Sequence, residues 1–178
     1  MGNGDLMLKL LAPRQYIRSA LDVDLEDLKA RGVRGLIVDL DNTIVPRYES
    51  QPSSELKGWL DTVKSEGFGV VVVSNNWTSR VREIAEELDV RLIRGARKPL
   101  AASFKNGMRL LGTAPVETAV IGDQLFTDVL GGNRLGLHTV LVVPMSEREM
   151  VHTRVLRRLE YRVLNALAKR QLISSNVR

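Results

Sequence analysis

The sequence alternates short, unbroken Val- and Ile-rich runs with stretches of helical periodicity. That alternation restricts the fold more than any other feature. The runs are GLIVDLD (35–41), GVVVVSN (69–75), VRLIRG (90–95), TAVIGD (118–123) and HTVLVV (138–143). In the first, second and fourth the apolar residues are continuous rather than alternating, as in strands buried on both faces. Between the runs, 53–67 sets Leu56, Leu60 and Val63 at helical spacing before a Gly stop, and 78–89 sets Val81, Ile84, Ala85 and Leu88 on one stripe. Residues 99–112 open with Pro99 at a first helical position and close at Gly112. Residues 125–136 read as a weaker helix, because Gly131 and Gly132 disfavour its interior. The alternation predicts an α/β fold, a Rossmann-like three-layer α/β/α sandwich around a mostly parallel, five-stranded sheet.

A chain of 178 residues suits one domain with a sizeable core. We read 33–145 as that core, 1–32 as a helical lead-in with a helix starting near Asp24, and 146–178 as a basic amphipathic C-terminal helix. With 44% apolar and 26% charged residues the composition is that of an ordinary soluble protein. There is no cysteine, which excludes a disulfide framework and cysteine-ligated metal. Asp5 precedes the first short apolar run and Lys9 interrupts it, so it does not read as a secretory leader. No apolar stretch approaches the roughly 20 residues of a membrane span. A cytoplasmic location is expected, with room for peripheral attachment to the inner face of a membrane.

The strand ends carry the chemistry. In an open α/β sheet, ligands gather at the carboxyl ends of the strands. The first strand delivers Asp39 and Asp41, followed by Asn42 and Thr43; the second delivers Ser74, with Asn75 and Asn76. The third is followed by Lys98, and the fourth by GDQLFTD, with Asp123 and Asp128. Aspartate is depleted in strands and rarely buried without a partner. So many carboxylates on one edge call for a hard cation such as Mg²⁺, which takes carboxylate and carbonyl oxygens. The lysine and a helix N-terminus suit phosphate oxygens. Taken singly, each feature has a plainer reading: an Asx turn, a solvated lysine, a helix-surface aspartate for Asp128. His138 opens a strand and reads as structural.

Together, in this order, the D-x-D-x-T at 39–43, Ser74, Lys98 and the G-D-x-x-x-x-D at 122–128 resemble the four motifs of the haloacid dehalogenase (HAD) superfamily of phosphotransferases. The match spans 35–143. The resemblance implies Asp39 as the nucleophile that takes the phosphoryl group, and Asp41 as general acid and base. It implies Thr43, Ser74, Asn75 and Lys98 as phosphate-binding groups, with Lys98 neutralising the crowded charge. Asp39, Asp41 (through its backbone carbonyl), Asp123 and Asp128 would serve the Mg²⁺ site. Aspartate at the second position of the first motif marks phosphatases rather than dehalogenases. The gaps from Asp39 to Ser74 and from Lys98 to Asp123 leave no room for a cap domain. More narrowly, DLDNTIVP, VSNN, KP and GDQLFTD with a basic C-terminal helix resemble the YqeG-type phosphatases and the mitochondrial phosphatidylglycerophosphate phosphatases. A lipid phosphate substrate is the implied consequence.

The net charge of +5 lies entirely in the tail: residues 147–178 hold eight Lys or Arg against three Glu, and the rest of the chain is balanced. Val151, Val155, Leu159, Val163 and Leu167 recur every four residues, with Arg154, Arg157 and Arg158 largely on the other side. Such a helix either packs on the core with a solvated outer face or lies on an anionic membrane. Tyr161 is the tail's one stacking residue, which argues against single-stranded nucleic acid as a partner. Three alternatives stay open: a phosphatase of protein or other macromolecular phosphoesters, a receiver-like phospho-acceptor, and an RNA-binding protein with a subsidiary site. A receiver would carry its acceptor on a middle strand.

Overall fold

The computed structural model describes residues 3–146 and 151–173. The chain opens with α1 (Asn3–Leu10), then the short strand β1 (Gln15–Ile17) and α2 (Leu25–Ala30). Next come β2 (Gly35–Val38), α3 (Ser54–Ser65), β3 (Gly69–Ser74), α4 (Ser79–Glu87) and β4 (Arg91–Arg94). After α5 (Ala101–Leu111) come β5 (Thr118–Gly122), α6 (Leu130–Leu135), β6 (His138–Val142) and α7 (Val151–Lys169). The strands form one sheet in the order β1-β6-β5-β2-β3-β4, and every pairing is parallel.

The helices follow from local chemistry. Asp24 accepts from the Asp27 N–H at 2.9 Å and caps α2, and Ser53 does the same for α3 through Leu56 at 3.2 Å. Gly112 ends α5 in the left-handed region. The unbroken strands are explained by burial on both faces. Leu36, Val38, Val70 and Val72 pack on one side with Leu28, Leu56, Leu60, Val81 and Ile84. Ile37, Val71, Val73 and Val120 pack on the other with Phe104 and Met108. Phe104 is fully buried, and its removal would cost about 3–5 kcal/mol.

The structure departs from the sequence reading at several points. The sheet has six strands rather than five, because Gln15–Ile17 of the lead-in pairs with Val140–Val142 of β6. Pro99 does not start a helix: it follows a cis peptide bond, and α5 begins at Ala101. The weak helix is a wide π-helical turn over Leu125–Val129 that runs into α6. A Cβ on Gly131 would fall 2.3 Å from the Phe104 ring, so the glycine is required by the closeness of α6 to α5. In α7 the inward side is built from Glu160, Val163, Leu164 and Leu167, while Leu159 is exposed. The side chains of Val151, Val155 and Arg154 lie outside the described residues. No extra domain interrupts the links between β2 and β3 or between β4 and β5.

Candidate active site

Asp39 follows β2 directly, and its N–H continues the ladder to the Ile121 carbonyl at 2.9 Å. The chain then coils tightly. Thr43, Ile44 and Val45 all donate to the Leu40 carbonyl, and Asn42 adopts φ +64. Asparagine tolerates that left-handed conformation better than most residues. This coil turns Thr43 back beneath the strand end. Its Oγ1 lies 3.2 Å from Asp39 Oδ2 and 3.3 Å from Asp123 Oδ1, bridging the ends of β2 and β5.

Lys98 is buried and donates to Asp39 Oδ1 at 2.6 Å and to Asp128 Oδ1 at 2.7 Å. Asp128 is also buried; its other oxygen accepts from Thr127 Oγ1 at 3.1 Å and from the Gln124 N–H at 3.3 Å. The preceding glycine makes this possible: a Cβ on Gly122 would lie 2.2 Å from the Asp128 carboxyl carbon. The plainer reading of Asp128 as a helix-surface residue therefore does not describe its position. Oxygens of Asp39, Asp123 and Asp128 come within 4.8 Å of one another, all three residues buried. That donor set, three hard oxygens in a confined space, fits a divalent cation.

Asp41 stands apart from this trio. Its carboxylate accepts from Arg80 Nη1 at 2.6 Å and Asn76 Nδ2 at 3.1 Å. Arg80, from the first turn of α4, also donates to the Pro46 carbonyl at 2.8 Å and to that of Glu49 at 2.5 Å. Ser74 ends β3, buried, and accepts from the Asn76 N–H at 3.1 Å. Asn75 clamps the Lys98 backbone: Oδ1 accepts from its N–H at 2.7 Å, and Nδ2 donates to its carbonyl at 3.3 Å. This contact positions Lys98, a job the sequence does not reveal.

Asp39, Asp41, Ser74, Asn75 and Lys98 line one cleft of about 350 Å³, together with Arg47 and Trp77. Trp77 is 64% exposed and packs over Gly95. Every sequence-predicted site residue thus lies at one end of the sheet. Arg80, Arg157 and Glu160 were missed as site residues. Arg157, assigned from the sequence to the outer side of the tail helix, turns inward: Nη1 donates to the Asp123 carbonyl at 2.5 Å, and Nη2 pairs with the Asp123 carboxylate.

Burial governs the electrostatics. It pushes Asp39 up to about 6, with Lys98 opposing and Asp128 and Asp41 adding to the rise. Asp123 is pushed up to about 8 by burial, opposed by Arg157. For Lys98, burial pulls down, but Asp128 and Asp39 outweigh it and the net direction is up.

The HAD-hydrolase-like family model matches residues 95–159. The probable phosphatase YqeG of Bacillus subtilis is 39% identical over 165 residues, covering 93% of this chain and 96% of that protein. The chain belongs to the YqeG-type phosphatases of the HAD superfamily. An Arabidopsis thaliana phosphatidylglycerophosphate phosphatase 1, chloroplastic/mitochondrial, is 28% identical over 174 residues, covering 92% of this chain and 50% of that one. Among solved structures, the cobalt-bound deoxy-D-mannose-octulosonate 8-phosphate phosphatase of Haemophilus influenzae shares the fold. It aligns with a TM-score of 0.54 at 15% identity, over 79% of this chain and 92% of that one. This YqeG-type phosphatase is therefore a phosphate-ester hydrolase built on a parallel α/β sheet without a cap. No helix among its described residues is long and apolar enough to cross a membrane.

Proposed function

We propose that this phosphatase hydrolyses a phosphomonoester through an aspartyl-phosphate on Asp39, and that its substrate is phosphatidylglycerophosphate or a closely similar lipid phosphate. The observation that carries the reaction is the placing of Asp39 and Asp41 in one cleft with different partners. Asp39 sits against Lys98 and beside Asp123 and Asp128, and Asp41 against Arg80 and Asn76. An Asp39 oxygen attacks phosphorus, the ester P–O bond breaks, and the Asp41 carboxylic acid gives its proton to the leaving alcohol. Asp41, now a carboxylate, takes a proton from water, whose oxygen attacks phosphorus and releases phosphate from Asp39. Thr43, Ser74 and the Lys98 ammonium hold the phosphate oxygens. Asp39, Asp123 and Asp128, with the Asp41 backbone carbonyl, would hold Mg²⁺, which offsets the repulsion between an anionic nucleophile and an anionic phosphate.

Support for the lipid comes from the Arabidopsis relative, a phosphatidylglycerophosphate phosphatase, and from a cleft that no cap domain covers. Arg47 at its mouth is a cation suited to a second anionic group on the substrate. The outer face of α7 exposes Arg158 and Arg162 beside Leu159 and Tyr161, a composition suited to an anionic lipid surface.

The test is phosphate release from phosphatidylglycerophosphate in mixed micelles, compared with phosphopeptides and sugar phosphates, with and without chelator. Lipid turnover should exceed the others and stop in chelator. Asp39→Asn should remove it while the fold survives, and Asp123→Ala should raise the Mg²⁺ requirement. Preference for phosphopeptides would replace the lipid reading; full activity of Asp39→Asn would end the assignment of the nucleophile.

A further inference from the structure

Two residues less than one turn apart on α7 grip the loop that carries Asp123. Arg157 donates to the Asp123 backbone carbonyl and to Asp123 Oδ2, and its Nη1 also reaches Glu160 Oε2 at 2.9 Å. Glu160 is 3% exposed, and its Oε1 accepts from the Leu125 N–H at 2.8 Å. Asp123 and Leu125 are thus held from the same helix. The remaining Asp123 oxygen, Oδ1, lies 3.3 Å from Thr43 Oγ1, a hydroxyl shared with Asp39 Oδ2 at 3.2 Å. The two oxygens of one carboxylate are therefore given separate tasks. One meets the Thr43 hydroxyl beside Asp39, and the other is tied to α7.

We propose that Arg157 is a positioning residue for the metal site. It orients Asp123 so that Oδ1 faces Asp39 and Asp128, and it makes α7 part of the active centre. The proposal rests on reading those three carboxylates as metal ligands. Partners that orient a ligating carboxylate typically contribute about 10–100-fold in metal affinity. Charge alone predicts the opposite sign: deleting a cation beside the cluster makes it more negative and should tighten cation binding. The sign of the effect therefore separates orientation from simple electrostatics.

The experiment is calorimetric titration of the full chain with Mg²⁺, with no substrate present. Arg157→Ala should weaken Mg²⁺ binding by roughly 10–100-fold. Arg157→Lys should recover part of the loss, and Arg158→Ala, on the exposed side of the same helix, should bind as the wild type does. Circular dichroism establishes that each variant is folded; if Arg157→Ala is not, Arg157→Lys and Glu160→Gln carry the test, each with a smaller loss. Unchanged or tighter Mg²⁺ binding in the Arg157 variants overturns the proposal and leaves the phosphatase reading standing. Equal losses in Arg157→Lys, Arg157→Ala and Arg158→Ala also overturn it, since they would report general loosening of α7. A wild-type chain that takes up no Mg²⁺ overturns this proposal and the metal-dependent reading together.

Discussion

Lys98 and Asp39 form a buried ion pair, Nζ to Oδ1 at 2.6 Å, and the same ammonium serves Asp128 at 2.7 Å. Each aspartate relies on Lys98 as its cationic partner, so the pair cannot be opened at one end without leaving charge stranded. Breaking a buried pair from one side typically costs about 3–5 kcal/mol. Lys98→Met should therefore lower stability by about that amount and abolish turnover. The same substitution in an Asp39→Asn, Asp128→Asn background should cost much less. Urea denaturation of the four proteins measures the difference, and equal costs in both backgrounds would contradict it.

Arg80 joins Asp41 to the loop after β2 through the carbonyls of Pro46 and Glu49. Arg80→Ala should lower kcat by about 10–100-fold, since small misplacements of a reacting group can cost that much. KM for a small phosphate ester should move less. Arg80→Lys should recover little, because an ammonium cannot span three acceptors in the guanidinium plane. Steady-state kinetics on para-nitrophenyl phosphate decides it. A selective rise in KM would instead make Arg80 a substrate contact.

His138 is buried at the start of β6, and its Nε2 has no hydrogen-bond partner. Burial pulls its pKa down to about 4, helped by Arg14 and Arg31 and opposed by Asp27. The ring is therefore neutral in the folded protein, whereas in the unfolded chain it takes a proton near pH 6.5. The unfolded state binds more protons between those values, so this contribution is complete above about pH 6.5 and is lost as pH falls towards 4. The buried carboxylates, raised by burial, act in the opposite sense. Comparison with His138→Leu isolates the histidine: the wild type should lose stability relative to the variant as pH falls through that window. A ring that titrates near 6.5 by NMR would refute the prediction.

Arg158 and Arg162 are exposed on α7, away from the contacts that Arg157 makes. Reversing both to Glu should leave hydrolysis of a soluble ester unchanged. Turnover of a lipid phosphate in anionic vesicles should fall, and added salt should reproduce the loss in the wild type. Each basic residue near such a surface contributes about 1 kcal/mol before screening. Truncating the whole helix is a poorer test, because Leu167 and Glu160 are buried and Arg157 reaches Asp123. Equal activity of the double variant on vesicles would remove the membrane from the account.

The strands β2, β3 and β5 were legible because both faces are covered and the apolar run is unbroken. Strand β1 was not, since QYI is three half-buried residues whose extended form comes from pairing with β6. The motif aspartates announced themselves by standing where a buried strand should stay apolar. Arg80 and Arg157 gave no such sign, as an arginine on a helix looks solvated until the tertiary fold brings an acid beneath it. Glu160 held a weak clue: an acid within the basic tail, three residues after Arg157. Pro99 misled because the rule for prolines at helix starts ignores a turn that precedes the helix by two residues.

The outermost strands have a consequence for association. Strand β1 offers a neighbour only three residues of unpaired backbone, and β4 carries exposed Arg91 and Arg94 at its two ends. Short length and cationic ends are the devices by which sheets resist lateral growth. Neither margin of this sheet is a good template for another chain, so the protein is guarded against runaway stacking of one copy on the next.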